Sequence, residues 1–185
     1  MSTIIREIRA EDWEQVRRIR LDALRDPAAA VAFLDTHEQA SARPDEFWRA
    51  RAANAAEGAP GARQFVAEAA DGRWLGTVTA LVELPGGEGA LEGDVIEEPQ
   101  IHLVGVFVRP EARGTGLIRE LVRAAAQWSW SLDDPAVTRV RLFVHEDNPR
   151  AQAAYAKAGF APTGLRLPVP GGGTHREVEM ELLRG

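Results

Sequence analysis

Between Val108 and Leu117 the chain reads Val-Arg-Pro-Glu-Ala-Arg-Gly-Thr-Gly-Leu, with Gly114 and Gly116 just ahead of a run of helical spacing. Backbone N–H groups that open a helix lack intrahelical acceptors, and the helix dipole adds to their field, so such a turn can hold an anionic group. The same glycines also suit a tight strand-to-helix turn with no ligand. Nucleotide fingerprints do not fit: a dinucleotide fold calls for a third glycine near Arg119, and a P-loop calls for Lys followed by Ser or Thr. Composition removes other chemistries. The 185 residues include no cysteine, which excludes a disulfide framework, thiolate metal sites, iron–sulfur clusters and a cysteine nucleophile. His37, His102, His145 and His175 stand apart without paired metal spacing, so no metal is expected. A net charge of −6, from 22 basic and 28 acidic residues, speaks against nucleic acid as a partner.

The elements that must position this turn follow from periodicity. Thr3 to Ile8 is β-branched and predicts a strand, and Asp12 then caps a helix with Trp13, Val16, Ile19, Ala23 and Leu24 on its apolar face. A loop carrying His37 follows. Pro44 suits the first turn of a second helix, with Phe47, Trp48, Ala52 and Ala55 on one face, until Gly58, Pro60 and Gly61 stop it. Gln64 to Ala69 and Trp74 to Leu84 predict antiparallel strands joined at Asp71–Gly72. Pro85 to Pro99 reads as a glycine-rich, acidic loop, and Ile101 to Val108 as a central, doubly buried strand. Beyond the turn a helix runs from Leu117 to about Leu132, then a strand from Val137 to Val144. Asn148–Pro149 starts a helix through Tyr155, capped by Gly159. Two strands close the chain, the last half-buried, with Val178, Met180 and Leu182 alternating with Glu177, Glu179 and Glu181. The expectation is one domain over residues 1–185, a mixed sheet with helices on both faces. No run reaches the roughly 18 apolar residues of a membrane span, and the charged N-terminus is unlike a signal peptide, so no membrane partner and a cytoplasmic location are expected.

Two motifs lie at the separation a β-α-β unit requires: V-x-V-x-P-x-x-R-G-x-G from Val106 to Gly116, and Asn148, Ala151, Tyr155 and Gly159–Phe160 in the pattern N-x-x-A-x-x-x-Y-x-x-x-G-F. Together they resemble the GNAT superfamily of acyl-CoA-dependent N-acyltransferases, whose pyrophosphate loop reads Arg/Gln-x-x-Gly-x-Gly/Ala. The resemblance implies an α+β, three-layer α/β/α fold around a mixed, mostly antiparallel sheet of about seven strands. It implies acetyl-CoA as acyl donor, its pantetheine arm paired with backbone around Val106, Phe107 and Val108. It places the pyrophosphate on N–H groups of Arg113, Gly114, Thr115, Gly116, Leu117 and Ile118. Ile118 departs from the pattern, where Gly or Ala is usual; as a residue of an amphipathic helix it also reads as core.

Amine attack on a thioester needs a proton acceptor, because an alkylammonium of pKa ~10.4 is neutral in only about one molecule per thousand at pH 7. The resemblance points to His102, eleven residues before Arg113, at the position of a Glu or His base; a histidine packed in the sheet is the alternative, and Glu83 is the reserve base. It points to Tyr155 as the acid that protonates the departing sulfur. A phenol near pKa ~10 is weaker than a thiol near ~8.5, so transfer can occur only as the S–C bond breaks. Asn148 is assigned both a helix cap and a place near the cofactor.

Between Glu83 and Glu98 there are six acidic residues and no basic one. This predicts an acidic patch at the acceptor entrance that steers a small cationic amine, against the alternative of a solvated loop that aids solubility. The function expected is an N-acetyltransferase acting on a small primary amine; the alternatives are acetylation of a protein N-terminus or lysine, and a non-catalytic acyl-CoA sensor. A homodimer is left open.

Overall fold

The computed structural model describes residues 2–185. Its strands are β1 (Thr3–Glu7), β2 (Ala62–Ala69), β3 (Trp74–Glu83), β4 (Gln100–Val108), β5 (Arg139–His145), β6 (Ala161–Pro168) and β7 (Arg176–Leu183). They form one seven-stranded sheet in the order β1-β2-β3-β4-β5-β7-β6, antiparallel except for the β4/β5 pair. The nearly continuous apolar run of β4 follows from its place at the centre, where both faces are covered.

Helices α1 (Trp13–Leu24) and α3 (Asp45–Ala55) pack on one face around Ile8, Val16, Ile19, Trp48 and Val66. Helix α4 (Leu117–Trp130) covers the other, burying Leu117, Leu121, Val122 and Ala125 at spacings of about one turn, and α5 (Pro149–Lys157) adds Tyr155 to that core. Each such Leu or Val contributes roughly 1.5–3 kcal/mol by leaving water. No helix is long and apolar enough to cross a membrane among the described residues.

Four local expectations change. Residues His37–Ser41 form a short helix, α2, rather than a loop, because Thr36 and Gln39 make a reciprocal capping box. Asp12 precedes α1 without capping it; its carboxylate takes the Arg9 N–H at 2.9 Å and Arg6 Nη1 at 2.8 Å instead. Pro44 stands at the N-cap of α3, one position before the first turn. The polar face of β7 is covered: Glu179 is 3% exposed and bonds Arg139, Arg141 and Thr163.

Candidate active site

The alternation of side chains along a strand sorts chemistry from core. On β4, Ile101 and Leu103 join the α4-side core, which turns His102 to the opposite face. On β5, Val140, Leu142 and Val144 do the same and leave Arg139, Arg141, Phe143 and His145 beside it; on β7, Met180 faces the core and Glu177, Glu179 and Glu181 do not. One face of three adjacent strands therefore carries a polar layer.

Strands β4 and β5 are paired only at Ile101–Val140 and His102–Arg141. Beyond that point they part. The pairing of β3 with β4 also slips by one residue between Thr77 and Thr79, opposite Val104 to Phe107, and Gly105 sits there with φ +62°, a left-handed conformation that glycine adopts without strain. A cleft of about 1080 Å³ opens along this divergence. It is lined by Val106, Phe107, Val108, Arg113, Gly114, Thr115, Gly116, Leu117, Ile118, Asn148 and Tyr155, every residue expected on the donor side, and by His102.

At one end of the cleft the turn opens α4. Gly116 is its N-cap with φ +88°; the Arg113 N–H, expected to face the pyrophosphate, instead donates to the Pro110 carbonyl at 3.3 Å, whereas no acceptor is found among the described residues for the N–H groups of residues 114–118. A row of donors at a helix N-terminus fits a diphosphate. The Arg113 side chain is spent on the turn itself: Nε donates to the Val108 carbonyl at 3.0 Å and Nη2 pairs with Asp26. Arg109 similarly joins the Trp74 carbonyl and Asp22, each at 2.7 Å, so two ion pairs tie the turn to the end of α1. Ile118 does both things foreseen for it, packing against the core and lining the cleft.

His102 is 6% exposed, and its Nδ1 lies 3.0 Å from Glu83 Oε1. The other Glu83 oxygen accepts from Gln100 Nε2 at 2.8 Å and from Arg141 Nε and Nη2 at 2.9 and 2.7 Å. Burial alone would raise the Glu83 pKa, but the bonds from His102 and Gln100 and the Arg141 charge outweigh it and hold the carboxyl below its usual range. An ionised carboxylate only accepts, so Nδ1 carries the hydrogen, and Nε2, without a partner among the described residues, is the nitrogen that bears the lone pair in the neutral ring. Glu83 does not line the cleft.

Arg141, itself 1% exposed, gathers three carboxylates. It meets Asp94 with both Nη atoms at 2.7 Å and Glu179 at 3.0 Å. Asp94 comes from the acidic loop, so this fork fastens the loop onto the sheet, and its bonds to Arg141 and to the Ala90 N–H outweigh burial in lowering its pKa.

The sequence profile of the acetyltransferase (GNAT) family matches residues 13–160. The chain belongs to the GNAT family of acetyltransferases. No curated protein sequence matches it. Solved GNAT-type structures of similar fold include a chimera of the spermidine N-acetyltransferase SpeG from Vibrio cholerae and hSSAT (19% identity, 99% of this chain and 96% of that chain, TM-score 0.67). Others are Arabidopsis thaliana NAA60 with a bisubstrate analogue (19%, 100% and 99%, TM-score 0.69) and a PaiA N-acetyltransferase from Thermoplasma acidophilum with coenzyme A (17%, 99% and 99%, TM-score 0.70). At these identities the likeness concerns the fold.

Several features of this GNAT protein lie outside the sequence reading. The acidic stretch reaches the cleft only through Ala90 and Leu91; none of its carboxylates lines it, and Asp94 is bound to Arg141. The expectation of a cationic acceptor thereby loses the feature on which it stood. Glu177 lines the cleft opposite His145, and burial pushes its carboxyl up to about 7. His145 and His175, expected apart, have ring centroids 5.3 Å from each other, and Asp147 lies 3.1 Å from His175 Nδ1. These groups bond one another: the Asp147 N–H donates to His145 Nδ1 at 3.1 Å. Tyr155 is 8% exposed, and burial raises its phenol pKa, so the hydroxyl keeps its proton. Asn148 caps α5 through the Ala151 N–H at 3.2 Å and lines the cleft as well.

Proposed function

We propose that this acetyltransferase moves an acetyl group from acetyl-CoA to the primary amine of a small molecule, by direct attack within a ternary complex. The observation that carries the reading is the His102–Glu83 pair on the wall of a cleft whose end is a row of unpartnered N–H groups. Acetyl-CoA supplies the activated acyl group; residues 114–118 hold its diphosphate, and the edges of the parted strands hold its pantetheine arm.

His102 Nε2 takes a proton from the acceptor, either from the ammonium before attack or from the amine nitrogen as its bond to the acetyl carbon forms, and Glu83, as a positioning residue behind the ring, stabilises the imidazolium that results. The new N–C bond forms as the C–S bond breaks, and the Tyr155 hydroxyl donates to the leaving sulfur, moving its proton only as negative charge builds there. With no cysteine, no acyl-cysteine step is available. The loop fastened by Asp94 and Arg141 borders the cleft through Ala90 and Leu91, and a wall held in place there favours a small acceptor over a protein N-terminus or lysine.

Thiol release from acetyl-CoA with a panel of amines tests the reading. His102→Ala should lower kcat by about 10²–10⁴ and Tyr155→Phe by less, with CoA affinity kept in both. Binding of CoA without turnover of any amine would identify a sensor instead.

A further inference from the structure

Arg20 of α1 and Arg51 of α3 both line the cleft, and both also line a small adjoining cavity of about 20 Å³ that is bounded by Gly105. They therefore stand where the two helices meet the bulge of β4, three residues from His102 and about 10 Å along the strand from it. The diphosphate turn lies farther along the chain, beyond Arg109.

The two guanidinium groups are short of counter-charge. Arg51 has no ion-pair or hydrogen-bond partner among the described residues. Arg20 lies over the Phe33 ring at 4.6 Å, and its nearest carboxylate, Asp35, is 3.9 Å away. Arg43 adds a third cation to the neighbourhood. Burial, then the Arg51 charge, lowers the Arg20 pKa to about 10, against a smaller opposing effect of Asp35. Arg20 stays charged at neutral pH, and the fold tolerates a strain that an incoming anion would relieve. Elsewhere in this molecule the buried arginine is fully matched: Arg141 has three carboxylates.

We propose that Arg20 and Arg51 bind an oxyanion carried by the acceptor itself, so that the acceptor is an amine bearing a carboxylate or a phosphate ester rather than a polyamine. Guanidinium groups match both oxyanions with paired N–H donors, and they repel a second ammonium. One end of the acceptor is held at the helices while the amine reaches the acetyl group beside His102. The proposal rests on the acetyl-transfer reading.

The test is thiol release by the full chain with four acceptors of matched amine: an amino carboxylate, its uncharged amide, an amino phosphate ester and a polyamine. Each is run against wild type, Arg20→Gln, Arg51→Gln and the corresponding Lys variants, with CoA affinity and Tm measured alongside. The expected result is preference of the wild type for an oxyanion acceptor, the better of the two identifying the group. Either Gln variant should raise its KM by about 10- to 100-fold, with kcat changed little and CoA affinity kept. The Lys variants should lose less, and Tm should hold or rise, since a repulsive pair is relieved. Preference for the amide or polyamine, an unchanged KM in both Gln variants, or a loss of CoA affinity instead would overturn the proposal while acetyl transfer stands. Acetyl-CoA binding with no acceptor turned over would overturn both.

Discussion

Glu83→Gln keeps the shape of the side chain and changes what it can accept. In the native protein four N–H groups converge on its two oxygens, from His102, Gln100 and twice from Arg141. An amide has one oxygen, and Arg141, with two donors at 2.9 and 2.7 Å, claims it. The new NH₂ then faces His102 Nδ1, which must become the acceptor, and the ring hydrogen moves to Nε2. His102 keeps its place and loses the lone pair on Nε2. The loss in kcat should approach the whole contribution of a general base, about 10²–10⁴-fold. Arg141 retains Asp94 and Glu179, so the stability cost should stay near the ~1–3 kcal/mol of an imperfectly satisfied buried group. The assay is steady-state thiol release by Glu83→Gln, His102→Ala and the double variant, with CoA binding as the control for folding. Because both changes disable one unit, the double variant should be no slower than the worse single one. Multiplying penalties, or a Glu83→Gln enzyme within threefold of wild type, would refute the assignment of Glu83 as the residue that orients His102.

Asp94→Asn should unfasten the acidic loop, because it leaves part of a buried fork unpaired. Breaking such a pair costs about 3–5 kcal/mol, a fall in Tm of roughly 10 °C for a domain of this size, read by calorimetry. Since the folded-state pKa of Asp94 is depressed, its contribution is present above the unfolded value and is lost as pH falls through the folded one; the variant should therefore lose its handicap in acid. Glu177 works in the opposite sense: its pKa of about 7 lies above the unfolded ~4.3, so its protonated form is favoured on folding and stability drops as pH rises from about 4 to 7. Glu177→Gln should raise Tm at pH 8 by about 2–4 °C, the effect of roughly 1 kcal/mol after allowance for its partial exposure, and change it little at pH 4.5. Equal shifts at both pH values would remove titration as the cause.

The parts of this protein legible in its sequence are those that local rules govern. The left-handed glycines before α4, the Asn148 cap, the Gly159 terminator and the hairpin at Gly72 each answer to dihedral preference within a few residues. Residue type, apolar runs and periods of 2 and 3.6 located six of the seven strands and the long helices; β6 was expected only as one of two closing strands, without bounds, and α2, whose single turn shows no period, was missed. The residues expected to hold the acyl donor were named through the family resemblance, whose motifs lie in one contiguous β-α turn and one helix, and these residues line the cleft.

On the other side of the cleft only His102, through the family resemblance, and Glu83, as a reserve base, were named, and nothing in the sequence joined them. Glu83, Asp94, His102, Arg141 and Glu179 come from four strands and a loop, and each is an ordinary polar residue in its own segment. Only the register that sets Leu81 beside His102, His102 beside Arg141 and Arg141 beside Glu181 turns them into one network. Arg20 and Arg51 escaped because amphipathic patterns mark the apolar stripe of a helix and say nothing about which polar residue borders a cavity. The acidic stretch misled for a related reason: net charge along a chain adds up regardless of direction, whereas a field in a cleft depends on which carboxylates point there. Local geometry is short-ranged and written in neighbouring residues; the pairing of charges is decided by contacts between segments that the folded sheet brings together.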